Sequence, residues 1–233
     1  MTRAEYIKRL FAEYALVSIL SDKNGCKVMR LRNKTIGKDL VLRSFPERLE
    51  AYEVLCGIHC ENLPETYDAI DLDDGQIVLE EYIDGITVAQ VMEGGKYHYW
   101  GAKKVISCVC HALNILHKRG LVHRDVKPEN VIIGSDGRVV LIDFNASRMV
   151  SNACKDTVIM GTVGYASPEQ LGIAQSDART DIYAVGVLLN VMLTGKHPTE
   201  AFARGHARRV VKKCTSLNPD DRYQSAEILK NAL

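Results

Sequence analysis

Asp125, Lys127, Asn130 and Asp143 are side chains of the types that phosphoryl transfer needs. They fall in one short stretch, His123-Arg124-Asp125-Val126-Lys127-Pro128-Glu129-Asn130, with Asp143-Phe144 thirteen residues after Asn130. A carboxylate must orient the attacking hydroxyl, oxygen ligands must hold Mg²⁺ on the phosphates, and a cation must offset the developing charge. Asp125, the pair Asn130 and Asp143, and Lys127 fit those three tasks.

Local structure must bring them together. Apolar runs at 131–133 and 139–142 flank Ser135-Asp136-Gly137, a strong hairpin signal. Asn130 opens the first strand and Asp143 follows the second, so the hairpin juxtaposes them. Upstream, Val105, Val109, Ala112 and Leu116 recur at helical spacing, with Gly120 as a stop. Downstream, 181–194 is apolar nearly all round, as a central helix must be, and Gly195 and Pro198 end it.

The first third reads as strands. Segments 26–33 and 39–45 alternate in part and join through Thr35-Ile36-Gly37-Lys38. A helix should follow, with Ser44 and Glu47 at capping-box spacing, Pro46 in its first turn, and Tyr52, Leu55 and Ile58 on its apolar face. Segment 77–83 reads as a further strand ended by Asp84-Gly85. The expected organisation is one domain over 1–233: a β-rich N-lobe (1–83), a hinge (84–87) and a helical C-lobe (88–233), with any ligand cleft at their junction.

Composition narrows the classes. The 233 residues are 46% hydrophobic and 25% charged, and Lys plus Arg (30) nearly balance Asp plus Glu (29). No basic surplus points to nucleic acid. No apolar run spans a bilayer and the start lacks the apolar core of a leader, so a cytoplasmic location is expected. The seven cysteines are scattered. The close pairs Cys56/Cys60 and Cys108/Cys110 lack zinc spacing and read as buried thiols in apolar helical patterns.

The catalytic stretch resembles the H-R-D-x-K-P-E-N loop of eukaryotic-type Ser/Thr protein kinases. Gly161-Thr162-Val163-Gly164-Tyr165-Ala166-Ser167-Pro168-Glu169 resembles the end of their activation segment, and Asp143-Phe144-Asn145 stands where the family has D-F-G. The resemblance implies a bilobal α+β kinase-like fold and transfer from ATP with Mg²⁺ to Ser/Thr hydroxyls of protein substrates. Asp125 would be the catalytic base and Lys127 would contact the transferred phosphate. Asn130 and Asp143 would hold the metal. Thr162 would contact base and lysine, Glu169 would pair with Arg222, and Asp181 would brace the loop. Arg124 resembles the arginine of kinases regulated by activation-loop phosphorylation, with Thr157 and Ser151 as candidate sites. Val28, Val41, Ile132 and the Glu81–Ile83 backbone would surround adenine.

The N-lobe departs from the pattern. With Val28 as the closing valine, the family's three phosphate-loop glycines fall on Ser21, Lys23 and Cys26, and only Gly25 is near. Arg43 stands where the V-A-I-K strand carries lysine, and the two are not interchangeable. Ala51 stands at the usual ion-pair glutamate. Glu80, at the gatekeeper position, is the expected partner of Arg43; a one-residue shift would make it Glu50. The helical half is also shortened after the central helix, because 197–209 is too brief for the full set of helices.

Three functions remain open. The intact transfer loop argues for an active kinase. The altered ATP clamp argues for a pseudokinase that holds nucleotide or serves as a scaffold. The reduced helical half leaves room for a small-molecule phosphotransferase.

Overall fold

The computed structural model describes residues 1–23, 25–150, 164–171 and 176–233. The chain forms two units: Met1–Cys60 with Pro64–Ile83, and Glu61–Leu63 with Asp84–Leu233. The first is a β-sheet unit, the second mainly helical, giving an α+β fold.

In the first unit, α1 (Arg3–Leu10) precedes β1 (Tyr14–Lys23), β2 (Cys26–Asn33), β3 (Asp39–Phe45), α2 (Glu50–Leu55), β4 (Thr66–Leu72) and β5 (Gly75–Glu81). The antiparallel sheet has strand order β1-β2-β3-β5-β4. The β2–β3 turn uses Asn33, whose Oδ1 accepts from the Thr35 and Ile36 amides, and Gly37 at φ 69°. Register sorts the side chains, since directly paired residues share a face. Val28 opposes Arg43, which opposes Val78; Arg30 opposes Val41, which opposes Glu80. These six residues therefore share one face. Met29, Leu31, Leu40, Leu42 and Ile77 lie on the other and form a core cluster against Tyr6, Ile7 and Leu10 of α1. Sequence reading misses α1, which a capping box secures: Thr2 Oγ1 accepts from Glu5 N, and Glu5 Oε2 accepts from Thr2 N.

The expected cap at Ser44 and Glu47 does not form. Ser44 and Phe45 continue β3, held opposite Ile77 and Gln76. The helix starts only at Glu50, with Leu49 at its N-cap and no side-chain cap. Cross-strand pairing outweighs the local helix signal here.

The second unit contains β6 (Gly85–Thr87), α3 (Val88–Glu93), α4 (Tyr99–His117), β7 (Leu121–Val122), β8 (Val131–Gly134), β9 (Val139–Leu141), β10 (Arg148–Met149), α5 (Ala178–Thr194), α6 (Gly205–Cys214) and α7 (Ala226–Asn231). Residues 85–87, expected as a connector, pair with β8 as an edge strand. α4 buries Val105, Val109, Ala112 and Leu116, and α5 ends on left-handed Gly195. Gly186 lets α6 approach α5: a Cβ there would lie 2.3 Å from Cys214 Cβ. Ser225 caps α7 through the Ile228 amide. No helix separates α5 from α6, which makes the helical half short. Buried Asn190 instead holds residues 195–203, donating to Lys196 O and Ala201 O and accepting from Ala203 N, each at 2.8 Å.

Among the described residues, no helix is long and apolar enough to cross a membrane, and no cluster of metal-ligating side chains appears. Burial raises the Cys110 thiol to about 12. Cys56, Cys60 and Cys108 are only half-buried, and Cys56 and Cys60 lie beyond the end of α2 rather than within a helix.

Candidate active site

The β8–β9 hairpin does what its sequence implies. Ile142 N donates to Asn130 O at 2.9 Å, so Asn130 and the residue before Asp143 close the same end of the hairpin. Asn130 lies in a 3₁₀ turn, Pro128–Asn130, that opens with proline. Its Nδ2 donates to Asp125 O at 2.8 Å and to Asp125 Oδ2 at 2.9 Å. Lys127 Nζ reaches the same Oδ2 at 2.7 Å. Asp125, Lys127 and Asn130 therefore form one cluster. With both amide protons of Asn130 committed to Asp125, its Oδ1 is left as the acceptor end.

The cluster is anchored from α5. Asp181 is fully buried and accepts from three donors: His123 N at 2.9 Å, Arg124 N at 2.7 Å and His117 Nε2 at 2.8 Å. Burial alone would push this carboxyl up. The His117 hydrogen bond, the His117 charge and the His123 amide outweigh it, so Asp181 lies below its ordinary range. The loop that it holds is strained, with Arg124 at φ 67°.

His123 is the inner pivot. Its Nδ1 accepts from Asp125 N at 3.3 Å, so Nε2 carries the proton and donates to Ile142 O at 3.1 Å. Complete burial lowers its pKa, consistent with a neutral ring. The ring meets Phe144 edge-on, with centroids 5.1 Å apart. At the D-F-G position, Asp143 and not Asn145 takes the left-handed conformation, at φ 69°. Asn145 thus meets no demand that only glycine could satisfy.

Glu169 and Arg222 form a second buried group. Nη1 and Nη2 donate to the two Glu169 oxygens at 2.6 and 2.9 Å, and Thr180 Oγ1 adds a third bond at 3.0 Å. Burial raises Glu169, but the Arg222 bonds prevail and leave it lowered. Gln170 Nε2 ties this segment to Arg124 O at 2.8 Å. Thr162, Thr157 and Ser151 lie outside the described residues.

The remaining expected residues, apart from Ile132, lie in the sheet unit. Arg43 Nε donates to Glu80 Oε1 at 2.6 Å. Val28 and Val41 lie on the same sheet face as this pair. Glu50 is exposed, while Ala51 and Tyr52 are buried and Tyr52 stacks on Phe45. The turn between β1 and β2 joins Lys23 to its partner Cys26 around Gly25 at φ 76°, so Ser21, Lys23 and Cys26 are strand residues. Glu81 N donates to Glu65 O, Ile83 is buried, and Ile132 lies in β8 of the second unit, opposite Val140.

Sequence reasoning misses His117, Gln170, Thr180 and Asn62. Asn62 stitches to β9 through Leu141 N and Val139 O, and His117 ends α4. No local spacing signals them. A polar residue at the end of an otherwise buried helix, as His117 is, was the one available hint.

The chain matches the protein kinase domain family over residues 25–229. It belongs to that family. The kinase domain is 33% identical over 177 residues to serine/threonine-protein kinase PknB of Mycolicibacterium smegmatis, covering 64% of this chain and 28% of that protein. It is 29% identical over 225 residues to serine/threonine-protein kinase D of Synechocystis sp., covering 86% and 44%. The kinase domain thus spans less than half the length of these curated relatives. Its fold matches the crystal structure of the Mycobacterium tuberculosis PknI kinase domain, with a TM-score of 0.72, 23% identity and 95% of each chain covered.

Proposed function

We infer that this kinase domain transfers a phosphoryl group from ATP to Ser or Thr hydroxyls of a protein. One observation carries the reading: Asp125, Lys127 and Asn130 are interlocked, and the loop bearing them is pinned by the buried carboxylate of Asp181. In this reading the Asp125 carboxylate takes the proton of the acceptor hydroxyl, and the Lys127 ammonium offsets charge on the moving phosphoryl group. Asn130 Oδ1 and the Asp143 carboxylate are hard oxygen donors that suit Mg²⁺. Mg²⁺, when bound, would supply charge neutralisation on the phosphates. Val28, Val41 and the Glu81–Ile83 backbone contact adenine, and Arg43 stands in for lysine as the nucleotide-facing cation. ATP supply and free thiols suit a cytoplasmic setting.

One observation favours a second reading, a pseudokinase. Arg43 is engaged by Glu80 inside the sheet unit. An arginine held there is poorly placed to serve a phosphate. Losing half the clamp raises nucleotide KM and slows transfer without abolishing it.

The deciding experiment incubates wild type, Asp143→Asn and Arg43→Lys with radiolabelled ATP, Mg²⁺ and a Ser/Thr-rich acceptor protein. Label in wild type that disappears in Asp143→Asn supports the kinase. Label only in Arg43→Lys means a competent site silenced at one residue. No label in any of the three overturns the kinase reading.

A further inference from the structure

A groove in the helical unit, with none of the phosphotransfer-loop residues in its lining, is formed by the α3–α4 connection, the start of α4, the end of α5 and the segment leading into α6. Its volume is about 490 Å³, enough for a few side chains. Exposed Lys96, Lys196 and Arg204 supply its charge, and Tyr99, Leu193 and Phe202 supply apolar surface. No acidic residue is among its lining residues.

Two features make this a built surface. The segment between α5 and α6 has no regular structure of its own, yet Asn190, fully buried, fixes its course with the three bonds described above. The α3–α4 connection is tied to α5 by Tyr97 N donating to Met192 O at 2.9 Å. The charge is also local. The chain carries +1 overall, but residues 195–214 hold six Lys and Arg and one acid, Glu200. α6 buries Ala207, Val210, Val211 and Cys214 and leaves Arg208, Arg209, Lys212 and Lys213 exposed. That face extends the positive field beside the groove and would speed encounter with an anionic partner.

We propose that this groove docks an acidic segment of a partner protein, one in which an apolar side chain is flanked by Asp and Glu. The apolar residue enters against Leu193, Phe202 and Tyr99, and the carboxylates meet Lys96, Lys196 and Arg204. A concave site favours a peptide over a bilayer, because a flat lipid surface reaches the flanking cations but not the lining. Nucleic acid would neutralise the cations but would leave Leu193 without an apolar partner. Docking needs no phosphoryl transfer, so it is independent of whether the domain is catalytic.

The test uses the full chain and fluorescence anisotropy. The probes are labelled Glu-Asp-Leu-Phe-Asp-Glu, its lysine counterpart Lys-Lys-Leu-Phe-Lys-Lys, and Glu-Asp-Ser-Ser-Asp-Glu. The variants are Lys196→Glu with Arg204→Glu, Phe202→Ala, and Lys23→Glu as a control in the other unit; circular dichroism checks folding. The acidic apolar peptide should bind wild type and Lys23→Glu alike. It should weaken by about tenfold or more in the charge-reversed variant, which should instead gain affinity for the lysine peptide. Phe202→Ala should narrow the gap between the Leu-Phe and Ser-Ser peptides. Equal binding of the acidic peptide to wild type and the reversed variant overturns the proposal. So does a reversal that abolishes binding only to phosphatidylserine vesicles or single-stranded DNA, with no peptide effect.

Discussion

Arg43 donates through Nε to Glu80 across neighbouring strands, diagonally from β3 to β5, and the two residues are 7% and 2% exposed. A charged pair this deep has paid for its desolvation through geometry, and each member depends on the other. Glu80→Leu should therefore destabilise the domain by about 3–5 kcal/mol, because it removes the carboxylate that the buried Arg43 Nε–H faces. Arg43→Leu combined with Glu80→Leu should recover most of that loss. Urea unfolding followed by circular dichroism checks both; equal losses in the single and double variants would show that the pair is not coupled.

Asp181 never touches a substrate in the proposed mechanism; it positions. Asp181→Asn keeps the shape but turns an N–H₂ toward groups that are themselves donors. The expected cost is about 3 kcal/mol in stability. The expected catalytic effect is a fall in kcat with little change in nucleotide KM, because the transfer loop shifts while the sheet unit is untouched. A change confined to KM would assign Asp181 a different role.

Stability should fall in two steps as the solution is acidified. Folded His123 has a pKa below its ordinary 6.5, so near and below that pH the unfolded chain takes up a proton that the folded chain refuses. Unfolding free energy should decline as pH drops from 7 toward 5, and His123→Gln should flatten that decline. Asp181 and Asp39 act at lower pH. Both are depressed; Asp39 falls from 3.8 to about 2, first through the Arg32 hydrogen bond and then through Arg30. Both stabilise the fold above their ordinary carboxylate range and lose that contribution as pH falls below it; for Asp39 the loss runs down toward pH 2. Denaturation midpoints across this range test the order of the steps.

Arg222 uses every N–H of its guanidinium. Nε donates to Ser216 O, Nη1 to Glu169 and Arg179 O, and Nη2 to Glu169 and Leu217 O. Lysine keeps the charge but offers three donors on a compact centre. Arg222→Lys should cost about 3 kcal/mol or more, visible as a lowered Tm. A Tm equal to wild type would mean that the charge alone suffices.

What could be read from the sequence followed the range of each interaction. β2, β3 and the β8–β9 hairpin have the bounds or turns that alternation and Gly137 announce. The transfer residues were legible because one hairpin and one 3₁₀ turn, both local, assemble them. The choice between Glu80 and Glu50 for Arg43 was not local. It depended on β5, not β4, pairing with β3, which no neighbouring residue encodes. The false cap at Ser44 came from the same blindness, since its strand partner Ile77 lies 33 residues away. α1 escaped because it has only eight residues, none of them fully buried.

Asn190 lies inside α5, yet it sets the path of a segment that begins five residues later. The trace of that segment is thus stored outside it. Lys196 and Ala201 contribute only backbone carbonyls to Asn190, and Phe202 gives it nothing, so their side chains are not what hold the curve. The segment should therefore act as an exchangeable cassette at 196 and 202: its surface chemistry there, from basic to acidic or from aromatic to small, should change without redrawing the chain beneath. If the groove docks a partner as proposed, a library randomised at 196, 200 and 202 should retarget it, whereas one that touched 190 would unmake the mould.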